Sequence, residues 1–275
     1  MCSAPAIKTW IPMNRDAAGR WAIITGASSG IGKALAFEFA GGGFNLVLTA
    51  RNAAALSGLA AQCCEKYGVE AKVIPADLGR IESLENLVAA LMAEPRHYEV
   101  LVNNAGFGVH GEFVSTDIEQ NIQLLNVQLV AALRLTKAVL PSMISRHSGR
   151  ILNVASVYSY SPVPLQSVYS ACKAFLLSFS SSLQNEVKGT GVTITVFCPG
   201  TTQTEFRSRA GISEKRKDSG MKAETAAHIA YVETLRGTHI VVPGFLNRVF
   251  VFSARLLPRW SLPGLVRFIN CRRGL

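Results

Sequence analysis

Tyr169 and Lys173 stand four residues apart, and Ser156 precedes the tyrosine by thirteen positions. On a helix, residues at that four-residue spacing lie one turn apart on the same face, which sets an ammonium group beside a phenol. An isolated phenol ionises near pH 10 and carries protons poorly at neutral pH. A nearby positive charge favours the phenolate and brings the group into working range for general acid–base chemistry. A Tyr-x-x-x-Lys pair also arises by chance, so its meaning depends on whether the rest of the chain supplies something for the tyrosine to serve.

Thr25-Gly26-Ala27-Ser28-Ser29-Gly30-Ile31-Gly32 follows an apolar run and opens a helical pattern. Glycines there let the backbone turn sharply and approach a pyrophosphate, and the helix N-terminus offers amide donors and a favourable dipole. The plainer alternative is a tight turn that uses glycine for steric reasons. At the end of the second apolar run stands Ala50-Arg51-Asn52, with no carboxylate. An acidic residue there would hydrogen-bond a ribose 2′-hydroxyl, whereas an arginine can form a charge-assisted fork with a 2′-phosphate. NADP(H) is therefore favoured over NAD(H), the alternative being that Arg51 is a solvated residue beside a helix start.

These residues need elements to position them. Strand patterns at 21–25, 45–49, 71–75, 100–102, 150–154, 192–197 and 240–242 alternate with helical patterns at 31–41, 53–67, 81–93, within 116–144 and at 165–187. Apolar strands alternating with helices predict an α/β fold, a doubly wound parallel sheet of Rossmann type in a single domain. Ligands in such sheets bind beyond the carboxyl ends of the strands, where every motif above falls. The expected organisation is an N-terminal extension over 1–19, a catalytic domain over 20–244 and a basic amphipathic C-terminal tail over 245–275. Residues 205–222 are polar and charged and read as a mobile loop.

Composition narrows the class. Of 275 residues, 49% are hydrophobic and 17% charged, which fits a packed globular protein. Cys2, Cys63, Cys64, Cys172, Cys198 and Cys271 form no Cys-x-x-Cys, so neither a metal site nor a disulfide framework is indicated. Cys172 beside Lys173 reads as a small helix residue. A reducing, cytoplasmic setting is expected, with no nucleic-acid partner. The net charge of +10 is uneven: from Leu235 onward there are seven arginines and no acidic residue, interleaved with Phe245, Val249, Phe250, Phe252, Leu256, Leu257, Trp260 and Leu262. Such a segment either lies on an anionic membrane surface or packs its apolar face on the core or a second subunit. The first 20 residues contain no apolar run of signal-peptide length. No uninterrupted apolar run reaches the roughly 18 residues of a spanning helix. Residues 240–257 come nearest, broken by Pro243, Asn247, Arg248 and Arg255.

Taken together in order, the glycine loop, Asp77-Leu78, Asn103-Asn104-Ala105-Gly106, Asn126, Ser156, Tyr169-Ser170-Ala171-Cys172-Lys173, and Pro199-Gly200 followed by Thr204 resemble the short-chain dehydrogenase/reductase superfamily in its single-domain form, over about residues 20 to 205. The texture of 45–52 and 66–70 is similar to the DltE-like and 3-ketoacyl or 17β-hydroxysteroid reductase group. The resemblance implies that Tyr169 is the general acid in carbonyl reduction, that Lys173 tunes it and holds the nicotinamide ribose, and that Ser156 orients the substrate oxygen. It implies that Asn126 anchors a water linking Lys173 to solvent. Gly26, Ser28, Ser29, Gly30, Ile31, Gly32, Arg51, Asp77, Leu78, Asn103, Ala105, Gly106, Pro199, Gly200 and Thr204 would contact the cofactor, Asp77 at the adenine, Asn103 on the adenosine side and Thr204 at the carboxamide. By the same analogy a homodimer or homotetramer is expected.

An NADPH-dependent reductase of an apolar ketone or aldehyde follows, the other reading being a nucleotide-binding regulatory protein without turnover. Phe107, Val109, Phe113, Val157, Tyr158, Tyr160, Val163, Leu165 and Phe206 are the expected pocket residues. Arg207, Arg209, Lys215, Arg216 and Lys217 would draw in an anionic carrier such as a CoA ester.

Overall fold

Seven apolar strands pair wholly in parallel. In the computed structural model, which describes residues 19–94, 96–211 and 220–272, β1 (Arg20–Thr25), β2 (Asn45–Thr49), β3 (Ala71–Val73), β4 (His97–Asn103), β5 (Gly149–Val154) and β6 (Val192–Phe197) carry the sheet. The small strands β7 (Thr202–Gln203) and β8 (Met221–Lys222) form a separate pair, and β9 (Ile240–Val241) closes the main sheet. The order is β3-β2-β1-β4-β5-β6-β9. The chain winds outward from β1 to β3, then returns to β4 on the other side of β1. That reversal opens a crevice beyond the carboxyl ends of β1 and β4.

Burial on both faces explains why the strands read as unbroken apolar runs: Ala22, Ile23, Ile24, Leu46, Val47 and Leu48 are fully buried. On one face lie α1 (Gly30–Gly41), α2 (Ala53–Tyr67) and, from further along the chain, α8 (Ala223–Arg236). On the other lie α3 (Ile81–Met92), α5 (Ala131–Ser145) and α6 (Ser167–Glu186). Helix α8 is absent from the sequence reading; its Ala226, Ala227 and Ala230 are buried against the first face, so small residues do the packing there. At the amino ends of the strands, away from the motifs, fully buried Glu99 accepts from Ser148 Oγ at 3.0 Å and is bonded by Arg150, tying β4 to β5.

α4 (Ile118–Leu125), a π turn over Asn126–Val130 and α5 form one continuous rod. By length and composition this 28-residue rod is apolar enough to cross a membrane, although polar residues interrupt it throughout. Its apolar side is nevertheless spent inside the protein, with Leu124, Leu135, Val139 and Met143 fully buried.

The C-terminal segment is not a trailing tail. After the short α7 (Phe206–Arg209), helices α9 (Phe245–Leu256) and α10 (Leu262–Arg272) fold back over the carboxyl ends of the strands, burying Val251, Ala254, Leu262 and Val266. Helix α9 packs on the 3-10 turn Val157–Tyr160 that follows β5. The expected N-terminal extension, save Gly19, and residues 212–219 of the charged loop lie outside the described residues.

Phe39 fixes α8 to α1: its ring meets Tyr231 edge-on at 5.0 Å and Phe44 at 5.6 Å, with no exposure. Phe39→Ala is expected to cost about 3–5 kcal/mol of stability, read from urea unfolding, because the cavity is walled by three elements that cannot all collapse.

Candidate active site

Thr25, the last residue of β1, organises the crevice. Its Oγ1 donates to the Val102 carbonyl at 3.0 Å and accepts from the amides of Asn104 and Ala105 at 2.9 and 3.0 Å. Asn104 returns its amide nitrogen to the Thr25 carbonyl at 2.9 Å. The glycine loop is thereby pressed onto the end of β4. A Cβ at Gly26 would lie 2.9 Å from Ala105 Cα, and Gly26 and Gly30 have φ of +66° and +55°, so glycine is required at both by space or conformation. Gly32 faces inward: a Cβ there would lie 2.3 Å from the Gly26 carbonyl oxygen and 2.4 Å from Asn104 Nδ2.

A cavity of about 840 Å³ runs from this loop along the ends of β2, β3, β4, β5 and β6. Its walls include Gly26, Ser28, Ser29, Gly30, Ile31, Arg51, Asp77, Leu78, Ala105, Gly106, Ser156, Tyr169, Lys173, Pro199, Gly200 and Thr204, bringing most of the sequence-derived set into one space. Arg51 is exposed at the rim, beside Asn52, whose Oδ1 caps α2 by accepting from the Ala55 amide at 3.0 Å. Asp77 Oδ1 accepts from the Gly79 amide at 3.0 Å, which shapes the turn after β3. Thr204 leans on the glycine loop, its Cγ2 within 3.1 Å of where a Gly30 Cβ would stand.

The reacting groups sit on β5, the 3-10 turn and α6. Tyr169 is buried, and the Ser156 hydroxyl hydrogen-bonds its phenol. Burial raises the phenol's pKa well above its ordinary value, the Ser156 bond opposing this. Lys173, only 5% exposed, donates from Nζ to the Val154 carbonyl at 2.8 Å and lies 5.5 Å from the Tyr169 ring centre. Burial lowers its pKa to about 8. Burial therefore acts against the downward pull expected from the ammonium and favours the protonated phenol. Ser159 Oγ donates to the Lys173 carbonyl at 2.8 Å, which fastens the turn to α6.

Two expected residues are placed elsewhere. The Asn103 side chain turns into the core, donating to Asn153 Oδ1 at 2.8 Å and to Thr136 Oγ1 at 3.3 Å; its neighbour Asn104 lines the cavity instead. Asn126 donates to the Gly79 carbonyl at 3.0 Å and does not line the cavity. Leu124, one face of the same rod, packs with Tyr169 and Cys172, so a residue two positions on points away from them. Four positions on from Leu124 comes Gln128, which the sequence reading missed. It is buried, donates to the Phe107 carbonyl at 2.9 Å, and its Oε1 has no partner among the described residues. Its four-residue spacing from Leu124 was the available signal.

The apolar end of the cavity is formed by Phe107, Val157, Tyr158 and Phe206, as expected. Val109, Phe113, Tyr160, Val163 and Leu165 do not line it; Val163 is buried in the core and Phe113 is 61% exposed. The remaining wall comes from the C-terminal helices through Leu246, Asn247, Phe250, Val266 and Ile269. Asn247 is locked in place, donating to the Pro243 carbonyl at 2.7 Å, and its Oδ1 lies 2.5 Å from where a Gly200 Cβ would stand. Lys215, Arg216 and Lys217 fall outside the described residues, as do the side chains of Arg207 and Arg209.

Residues 20–215 match the model of the short chain dehydrogenase family. The chain belongs to that family. Among its relatives, the very-long-chain 3-oxoacyl-CoA reductase of Anas platyrhynchos is 38% identical over 185 residues, covering 66% of this chain and 59% of that protein. The chain thus spans about three fifths of that reductase's length. A short-chain dehydrogenase from Sphingobium yanoikuyae in complex with NADPH superposes with a TM-score of 0.79 at 33% identity, covering 86% of this chain and 93% of that one. A bulky-bulky ketone specific alcohol dehydrogenase from Comamonas testosteroni gives 0.74 at 29% identity, over 86% and 92% of the two chains.

The glycine loop offers the close backbone approach and helix N-terminus that a pyrophosphate needs, so the residues present fit a nicotinamide dinucleotide. Gly32→Ala drives its methyl into the Gly26 carbonyl and Asn104. The variant is expected to bind a reduced nicotinamide dinucleotide at least about tenfold more weakly by fluorescence titration, since the carbonyl cannot move without displacing the loop.

Proposed function

We propose that this protein is an NADPH-dependent reductase of bulky apolar ketones, such as 3-ketoacyl or steroid-like compounds, acting reversibly. The observation that carries this reading is the meeting of Ser156, Tyr169 and Lys173 at the junction of two differently built halves of one cavity. One half has the glycine loop, Asp77 and Arg51; the other is lined by aromatic and aliphatic side chains.

Bound NADPH would supply the hydride. Gly26 to Ile31 would hold its pyrophosphate, and Asp77 and Leu78 its adenine. Pro199, Gly200 and Thr204 would flank its nicotinamide. Arg51 would pair with the 2′-phosphate, since its guanidinium hydrogen-bonds no other side chain among the described residues and no carboxylate stands at the end of β2. Ser156 orients the substrate carbonyl oxygen. Tyr169 gives that oxygen its proton, for which a phenol held in the protonated state is suited. The Lys173 ammonium stabilises the tyrosinate left behind. Similarity to a ketoacyl reductase and to a bulky-ketone alcohol dehydrogenase supports the substrate class.

An NADPH-oxidation assay over ketones of graded size, with NADH in parallel, tests the reading. Turnover of bulky apolar ketones is expected, and Tyr169→Phe should retain NADPH binding while losing about 10²–10⁴-fold in rate. A protein that reduces none of the panel defeats the proposal. Arg51→Asp is expected to raise the KM for NADPH by about tenfold or more, through repulsion of the 2′-phosphate, with a smaller effect on NADH.

The pH dependence has a definite sign. Lys173 is charged below its pKa of about 8 and neutral above it, while Tyr169 stays protonated. The kcat/KM for reduction is therefore expected to fall as pH rises through about 8, without a matching acid limb from these two groups.

A further inference from the structure

Helix α9 presents two different faces. Inward, Asn247 and Phe250 reach the cavity and Val251 and Ala254 are buried. Outward, Phe245, Val249, Phe252 and Leu256 recur at helical spacing along one stripe, exposed by 78%, 46%, 63% and 69%. The stripe continues into Leu257 and into Trp260, which is 84% exposed in the turn before α10. Arg248 and Arg255 on α9, Arg259 in the turn and Arg267 on α10 are all exposed, and no acidic residue follows Glu233 in the sequence.

We propose that the α9–α10 pair is a docking platform for an anionic lipid surface, set beside the cavity so that a lipophilic substrate enters from the bilayer. Contiguous exposed apolar surface of this kind marks an interaction site. Its charge selects the occupant. Guanidinium groups surrounding an apolar stripe match phosphate headgroups over acyl chains, and an exposed indole suits the interface between them. A second copy of this chain fits less well, because a two-fold contact through this face would oppose arginines to arginines.

The platform is rigidly joined to the site. Asn247 lies against Gly200, and the Arg255 guanidinium stacks 5.2 Å from the Tyr160 ring centre, in the turn that begins at Ser156. Leu246 is 79% exposed and also lines the cavity, which places one wall of the cavity at the platform itself. Entry of substrate from the bilayer rests on the proposed reductase reading; lipid binding does not.

The test is co-sedimentation of the full chain with vesicles of phosphatidylglycerol and phosphatidylcholine, with phosphatidylcholine vesicles alone, and with the mixed vesicles at raised salt. Binding is expected to the mixed vesicles, to be weak on phosphatidylcholine alone, and to fall with salt. A Phe252→Glu/Leu256→Glu variant should partition about tenfold or more less onto the mixed vesicles, and Arg259→Gln/Arg267→Gln should lose part of the anionic preference. None of these four residues lines the cavity, so the melting temperature and NADPH affinity should be unchanged in both variants. Failure to bind either vesicle overturns the proposal, as does undiminished binding by the glutamate variant. A parent that sediments as a dimer, with the glutamate variant monomeric, assigns the stripe to self-association and overturns it too. Because the readout is lipid partition, a protein that binds vesicles but reduces no ketone would defeat the reductase reading alone.

Discussion

A buried ammonium group has to be held by whatever oxygen the fold places beside it. Lys173 meets the carbonyl of Val154, the last residue of β5, and that one contact requires α6 to cross the strand end at a fixed height. The crossing is secured from both sides: Ser159 bonds the backbone of Lys173, and deeper in the sheet Asn153 donates to Ser180 on α6 at 2.7 Å. Strand, turn and helix therefore behave as one unit that carries Ser156, Tyr169 and Lys173 together. Low dielectric surroundings then act on both titrating groups at once, keeping the phenol neutral and weakening the lysine's hold on its proton. The rest of the molecule brings a nucleotide groove to one side of this unit and an apolar wall to the other.

Much of this was legible in the sequence because parallel strands buried on both faces leave continuous apolar runs, and the glycines mark the tight turn that approaches the end of β4. The misses have physical causes. Successive residues at the end of a strand point to opposite sides, so adjacent asparagines 103 and 104 serve the core and the cavity respectively, and type alone cannot tell them apart. The π turn beginning at Asn126 interrupts helical periodicity at the point where a catalytic neighbour had been sought. Helix α8 packs through alanines, which leave too little contrast between its faces to read as amphipathic. The C-terminal segment showed its charge and apolar content but not its direction, since folding back over the strand ends is a tertiary outcome.

That return of the chain matters for how the site is assembled. The groups that handle protons come from residues 149–186, whereas half of the apolar wall comes from residues 245–272, far away in sequence. The acid and much of the wall that would shape its substrate thus come from separate stretches of chain, brought together where α9 packs on the turn after β5.

Gly200, after β6, is a third point against which the C-terminal stretch rests. Because Asn247 fills the space that a side chain at position 200 would occupy, even one methyl group there must push the Asn247 amide aside, against the bond it makes to the Pro243 carbonyl. The placing of one polar group on the cavity wall is consequently coupled to residue 200, which need never contact the substrate.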